Sequence, residues 1–217
     1  MPIAIIPAKE FSRRLPKKNF RNLLGKPMIS WTIHHLKKTK IFNKIIVSTD
    51  SDKIRKIAEE NNVDYVINRP AKLCNDSVST IEVVKHAIKY LQTKNIKSKY
   101  VCCMYPAAPN TNYKNIILGF DLIKNLSNKF IFPCTQKMNK TNQCTNFETI
   151  TKIKKKIINN NLKDSGQFYF ASTNTWLNSK KIIKLKSIII PISKKNSVDI
   201  NNYYDFKKAK KILINDK

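Results

Sequence analysis

Three observations predict a single α/β domain built on a doubly wound, mainly parallel, Rossmann-like sheet. Short apolar runs alternate along the chain with segments whose apolar residues recur at helical spacing. The runs are bounded by proline and polar residues, the form of strands buried on both faces. The chain has 217 residues, 41% of them apolar, enough for one such domain with a real core. A sheet of this kind carries its site at the carboxyl ends of its strands.

The elements follow in order. Residues 3–6 form the first strand, stopped by Pro7. Residues 9–21 (KEFSRRLPKKNFR) continue as a loop, because Pro16 and Asn19 discourage helix. Pro27 then opens a helix in which Ile29, Ile33 and Leu36 share one face. Residues 44–48 (KIIVS) are a second strand, and 51–62 a helix with Asp50 as its N-cap. A third strand spans 63–67, a longer helix 78–91, and a fourth strand 100–104 (YVCCM), which ends before Pro106 and Pro109. A helix over 113–126 precedes a strand at 130–134. Residues 136–164 break the alternation. They are rich in Lys and Asn with one apolar patch (Ile150, Ile153, Ile157, Ile158), and read as an inserted lobe or arm. Strands return at 166–171 (GQFYFA) and 187–191, and an amphipathic helix over 203–213 closes the domain.

Charge is the most conspicuous property and mostly background. Lys and Arg total 42 against 14 Asp and Glu, a formal charge of +28. Arginine, whose fork reads bases and phosphates, occurs at only five positions, 13, 14, 21, 55 and 69. The lysines are spread along the whole chain beside abundant Asn and Ile, as A/T-rich coding would produce. No specific nucleic-acid partner is therefore expected. No apolar run approaches the ~20 residues that cross a bilayer, and residues 1–7 lack a basic leader, so a cytoplasmic protein without a membrane partner is expected.

Elimination is efficient. Glycine occurs only at 25, 119 and 166, so neither a dinucleotide fingerprint nor a Walker A loop can be drawn. His34, His35 and His86 lie on helical segments without metalloprotease spacing and read as packing residues. The cysteines at 74, 102, 103, 134 and 144 form no C-x-x-C pair, which argues against a zinc site or disulfide framework. What stands out is the loop after the first strand, with six cations in the thirteen positions 9–21. Cations and backbone amides at that sheet edge suit a polyphosphate; on charge alone a merely solvated loop is the rival reading.

The order of residues in that loop decides between them. Pro7-Ala8-Lys9-x-x-Ser12-x-Arg14-Leu15-Pro16-x-Lys18-Asn19, with Leu24-Gly25-Lys26-Pro27-Met28 beyond it, resembles the signature of the sugar-acid cytidylyltransferases. Val47-Ser48-Thr49-Asp50-Ser51, Arg69-Pro70-x-x-Leu73-x-x-Asp76-x-x-x-Thr80 and Tyr105-Pro106-Ala107-Ala108-Pro109 continue the resemblance in register. Asp164-Ser165-Gly166-Gln167-Phe168-Tyr169 and Val198-Asp199-Ile200 complete it over essentially the whole chain. Tyr105 and Ser165 are most similar to the branch that activates pseudaminic acid; sialic-acid enzymes typically place Gln and Asn there.

The resemblance implies a reaction of CTP with a sugar acid, giving a CMP-sugar and pyrophosphate for surface glycan synthesis, with Mg²⁺ as cofactor. By the same resemblance Lys18, Arg14 and Lys9 are the catalytic cations. Ala8, Lys9, Ser12, Arg13, Lys18, Asn19, Arg69, Asp76 and Thr80 would bind the nucleotide, with Asn19, Arg69 and Thr80 on ribose and cytosine. Tyr105, Gln167 and Tyr169 would line the sugar pocket, and Asp199 would hold the metal. Structural alternatives stand beside these roles. Ser12 and Asn19 can shape turns, Tyr169 can be core, Thr80 can cap its helix, and Asp205 can serve a helix N-terminus. Two departures from the family pattern matter. Lys9 replaces an arginine, and Asn201 replaces the second aspartate of D-x-D, weakening the metal site. Sialic, legionaminic or KDO-type acids are alternative substrates, and a member that has lost turnover is an alternative function. Related enzymes also lead us to expect that residues 136–164 help form a homodimer.

Overall fold

The computed structural model describes residues 1–126, 128–136, 162–182, 187–193 and 197–215. At its centre is β1 (Ile3–Pro7), flanked in parallel by β4 (Lys44–Thr49) and β6 (Tyr100–Met104). Between β1 and β4 come a two-residue hairpin, β2 (Asn22–Leu23) and β3 (Lys26–Pro27), and helix α1 (Met28–Thr39). The hairpin is absent from the sequence expectation. Leu24 and Gly25 at its tip have φ of 53° and 85°, the doubly left-handed geometry of tight hairpin turns. Helix α1 starts one residue after Pro27 and buries Met28, Ile29, Ile33 and Leu36, the stripe its spacing predicts.

Helix α2 (Asp52–Glu60) follows β4, and β5 (Tyr65–Asn68) pairs beyond it. Ser51, not Asp50, caps α2, its hydroxyl accepting from the Ile54 amide. Asp50 is otherwise engaged, since its carboxylate accepts from the Glu10 backbone at 2.9 Å. Helix α3 (Thr80–Thr93) starts two residues later than its periodicity suggests, because Ser79 and Glu82 form a capping box. Helix α4 (Tyr113–Lys124) leads from β6 to β7 (Ile131–Gln136).

Most of the 136–164 insertion lies outside the described residues, and with it the expected dimer lobe. Its two ends are described and pair. Thr135 of β7 stands opposite Lys163 of β8 (Leu162–Asp164), and Gln136 opposite Leu162. After β8 come β9 (Phe168–Ser172), the short helix α5 (Thr173–Asn178), β10 (Ile188–Pro191) and α6 (Tyr203–Asn215). Helix α5, too short for a periodicity signal, is fixed by the Ser172 cap and by Trp176, whose indole donates to Val101 O at 3.1 Å.

The strand order is β10-β7-β9-β6-β1-β4-β5, with β8 paired to β7. β9 runs antiparallel between β6 and β7, so the sheet is mixed though mainly parallel as expected. β8 and β9 lie along the same neighbour but out of step. Cys134 faces Asp164 while Ile131 faces Phe170, three residues further along than a continuous strand would bring. Ser165, Gly166 and Gln167 therefore bulge out, at the sheet edge where the parallel strands end. Helices cover both faces: Ile29, Ile33 and Ile116 pack on one, and Ile81, Val84, Leu91 and Trp176 on the other. No helix among the described residues is long and apolar enough to cross a membrane.

Candidate active site

The basic loop is shaped by backbone and side-chain bonds that fix its course along the sheet edge. Ala8 N donates to Ser48 O at 2.9 Å, extending the β1–β4 ladder by one residue before the chain turns. Asp50 then holds the Glu10 amide, and the Asn19 side-chain amide reaches back to Lys9 O at 2.7 Å. Lys17 adopts φ 59° where the chain enters a single 3₁₀ turn, Lys18–Phe20. Leu15 anchors the far side, buried with Leu23, Met28, Val198, Ile200 and Phe206 in a small separate cluster. Val198 and Ile200 turn into that cluster and leave the Asp199 carboxylate against the Gly166 backbone.

A cleft of about 760 Å³ opens above this loop. Its lining comprises Lys9, Ser12, Arg13, Arg14, Lys18 and Asn19 of the basic loop, which form a cationic wall, together with Asp76, Tyr105 and Asn201 from other segments and Phe11, 67% exposed. Of the expected catalytic and nucleotide residues, the structure thus gathers Lys9, Ser12, Arg13, Arg14, Lys18, Asn19 and Asp76. Lys18 Nζ donates to Ile200 O at 3.0 Å, tying the loop to the Asp199 segment. Burial pushes the Lys18 ammonium below its ordinary pKa, Asp199 opposes that, and Arg14 and Lys9 add to it. Asn19 is 5% exposed, and its Oδ1 has no hydrogen-bond partner among the described residues. Its side-chain nitrogen shapes the loop through Lys9 O, which is the structural role the sequence allowed for Asn19.

Five expectations need correcting in position, Thr80 among them. The first is Ala8, which is fully buried at the end of the β1–β4 ladder and does not line the cleft. Arg69 is 5% exposed and does not line the cleft. Its guanidinium donates to Ser48 O at 2.6 Å and to Ser48 Oγ, bracing the end of β4, where buried backbone must find a partner. Gln167 and Tyr169 also lie behind the cleft wall, 1% and 4% exposed. They belong to the bulge and its strand, which face the core on that side of the sheet. Gln167 O accepts from Tyr105 N at 2.8 Å, and the Tyr169 ring meets Tyr105 edge-on at 5.6 Å. Tyr105 alone of the expected sugar-pocket residues reaches the cleft. Thr80 supports it from below, at 2.7 Å from the Tyr105 hydroxyl; Ser79 caps α3, so Thr80 does not. Asp205 takes the helix role, accepting from Asn201 N and Asn202 N at the start of α6.

Sequence reasoning missed two carboxylates in this region. Asp50 was read as a cap, although its place directly after a strand puts it beside the loop from β1. Asp164 carries no signal of its own beyond its place in the Asp164–Tyr169 motif. Its Oδ2 accepts from the Tyr169 hydroxyl at 2.5 Å and its Oδ1 from Gly166 N at 2.9 Å. Burial pushes the Asp164 carboxyl above the usual carboxylate range, and Asp199 adds to the shift against those two hydrogen bonds. A carboxyl raised in the fold stabilises it while protonated, and that contribution is lost as pH rises through the folded pKa. Asp164→Asn keeps an acceptor for Gly166 and carries no charge. We expect it to raise the melting temperature by about 2–4 °C at pH 7.5, and the gain to vanish by about pH 4. Equal melting at pH 7.5 would contradict this origin.

Asp199 offers one carboxylate beside the cationic wall; its Oδ2 accepts from the Asn201 amide at 2.7 Å. Among the described residues no three His, Cys, Asp or Glu side chains cluster as a metal cage.

A family model described as cytidylyltransferase matches residues 3–211. The chain is 30% identical to a pseudaminic acid cytidylyltransferase of Campylobacter jejuni, over 96% of this chain and 94% of that protein. It is 28% identical to an N-acylneuraminate cytidylyltransferase of Escherichia coli, over 95% of this chain and 51% of that longer protein. Among solved structures, a CMP:2-keto-3-deoxy-manno-octonic acid synthetase complexed with CTP superposes with TM-score 0.73 at 12% identity, covering 100% of this chain and 99% of the other. A 4-diphosphocytidyl-2C-methyl-D-erythritol synthase gives 0.68 at 9% identity, covering 98% of each chain. At such identities these two likenesses speak to the fold.

Proposed function

The chain belongs to the cytidylyltransferase family, and within it we propose that the protein condenses CTP with a nonulosonic acid of the pseudaminic type. The anomeric hydroxyl oxygen attacks the α-phosphorus as the bond to the bridging oxygen of pyrophosphate breaks. The hydroxyl proton passes to solvent, and no covalent enzyme intermediate is needed. The observation that carries this reading is the convergence of Lys9, Arg13, Arg14 and Lys18 on one wall of the cleft at the carboxyl end of β1. Fixed cations facing a triphosphate lower the barrier by positioning it and by neutralising charge that develops on the phosphates.

Lys18 is the cation assigned to the reacting phosphate, because its bond to Ile200 O fixes it next to the Asp199 segment. The unpartnered Asn19 Oδ1 suits the exocyclic amino group of cytosine, a donor that uracil lacks. Tyr105 faces the sugar acid across the cleft, held by Thr80 below and by the bulge behind it.

The donor set fits a Mg²⁺ that takes most of its ligands from phosphate oxygens and water, with Asp199 as the protein's carboxylate. Such an ion, when bound, neutralises charge on the triphosphate and the departing pyrophosphate. Asn201 contributes a neutral amide, so this protein supplies less charge to the ion than a paired aspartate would.

Pyrophosphate release with CTP, Mg²⁺ and a panel of pseudaminic, N-acylneuraminic, legionaminic and 3-deoxy-octulosonic acids tests the proposal. Release with pseudaminic acid in preference to the others is expected. Preference for another acid overturns the substrate assignment alone, and no release with any of them overturns the activity.

A further inference from the structure

Among the described residues lining the cleft one carboxylate stands against the cations. Asp76 lies on the loop between the 3₁₀ turn Ala71–Leu73 and α3, and it pairs with two residues of the basic loop at once. Lys9 Nζ reaches Asp76 Oδ1, and Arg13 Nε reaches Asp76 Oδ2. The Lys9 contact and then Arg13 hold its carboxyl below the usual carboxylate range. The resemblance placed Asp76 among nucleotide-binding residues. A carboxylate repels polyphosphate oxygens, so toward the phosphates of a nucleotide Asp76 acts through the cations it pairs with.

The pairs are accessible and therefore exchangeable. Side-chain exposure is 26% for Lys9, 71% for Arg13 and 33% for Asp76, so water and an incoming anion reach all three. Ion pairs at such exposure are individually weak. A terminal pyrophosphoryl group carries several negative charges against one on Asp76. It displaces the carboxylate from both cations at a modest cost. The same exchange runs backwards when pyrophosphate departs.

We propose that Asp76 is an internal competitor for pyrophosphate, holding Lys9 and Arg13 in the empty cleft and recapturing them as pyrophosphate leaves. The inference rests on the polyphosphate reading of the cleft given above. It adds a residue whose work is release, since tight cationic capture of a triphosphate would otherwise retain the product. A nucleoside monophosphate lacks the terminal pyrophosphoryl group and so brings little charge to this competition.

Calorimetric titration of pyrophosphate and of CMP into the wild-type chain and Asp76→Asn tests it, with and without Mg²⁺. The variant is expected to bind pyrophosphate about three- to tenfold more tightly, with CMP affinity unchanged within about twofold. Asp121→Asn removes an equally negative, exposed side chain near the far end of α4, which runs away from the sheet edge that carries the cleft. It is expected to leave pyrophosphate affinity unchanged, which separates local competition from the general gain in positive charge. Unchanged or weaker pyrophosphate binding in Asp76→Asn overturns the proposal. So does a loss confined to Mg²⁺-containing buffer, which would make Asp76 a metal ligand. If pyrophosphate binds neither protein, the polyphosphate reading itself fails, and the inference with it.

Discussion

Lys18→Ala is expected to lower kcat/KM for CTP by about 10²–10³-fold, the scale of losing one preorganised charge from a phosphoryl-transfer site. Among the cleft cations Lys18 is held most firmly, by its bond to Ile200 O at 3.0 Å and by partial burial. Alanine removes both the charge and the tie between the basic loop and the segment carrying Asp199. Lys17→Asn is the matched control. It deletes a neighbouring charge at an exposed position whose φ of 59° asparagine tolerates, and about wild-type activity is expected. The pH profile adds a second readout. Burial lowers the Lys18 pKa, so its charge is lost at a lower pH than an ordinary lysine would require. Wild-type activity should therefore decline on the alkaline side earlier than in Lys18→Arg, whose guanidinium stays charged throughout. Coincident alkaline limbs would remove Lys18 from the reacting phosphate.

The parallel half of the sheet was legible because its strands are buried on both faces and read as unbroken apolar runs. β1, β4 and β6 fall where residues 3–6, 44–48 and 100–104 placed them. The antiparallel β9 was found as a strand but not as antiparallel, since GQFYFA is equally apolar in either direction. Its direction follows from β8, three residues long and too short to announce itself. The bulge at 165–167 was invisible for a related reason: only the register of two strands against a third reveals it. In the site, the basic loop was readable because six cations in thirteen positions exceed even this lysine-rich background. Which of its partners face the cleft was not. Arg69, Gln167 and Tyr169 carry the right chemistry in the right order, and burial turns all three inward. A linear motif records proximity to a site. It does not record whether a side chain touches the ligand or braces something that does.

Gly166→Ala is expected to act through such bracing, costing stability and activity by separable routes. Gly166 has φ +60°, a conformation that disfavours a side chain by about 1 kcal/mol. An added Cβ would also stand 3.1 Å from Asp199 Cγ and 3.3 Å from both its oxygens, so the carboxylate must move or the bulge must open. Opening the bulge is resisted, because Gly166 N binds Asp164 and the adjacent Gln167 carbonyl receives Tyr105 N. The carboxylate is therefore what yields. We expect a stability loss of about 1–2 kcal/mol in denaturant melts, together with a Mg²⁺ requirement raised by about tenfold or more. Asp199→Asn separates the two routes. It keeps the volume above Gly166 and leaves the left-handed turn unstrained, so its melting should stay near wild type while its activity falls further. Excess Mg²⁺ should restore part of the rate in Gly166→Ala, where the carboxylate is displaced, and little in Asp199→Asn, where it is gone. Loss of stability in Gly166→Ala with an unaltered Mg²⁺ requirement would show that the ion does not depend on Asp199 and sits wholly on the triphosphate.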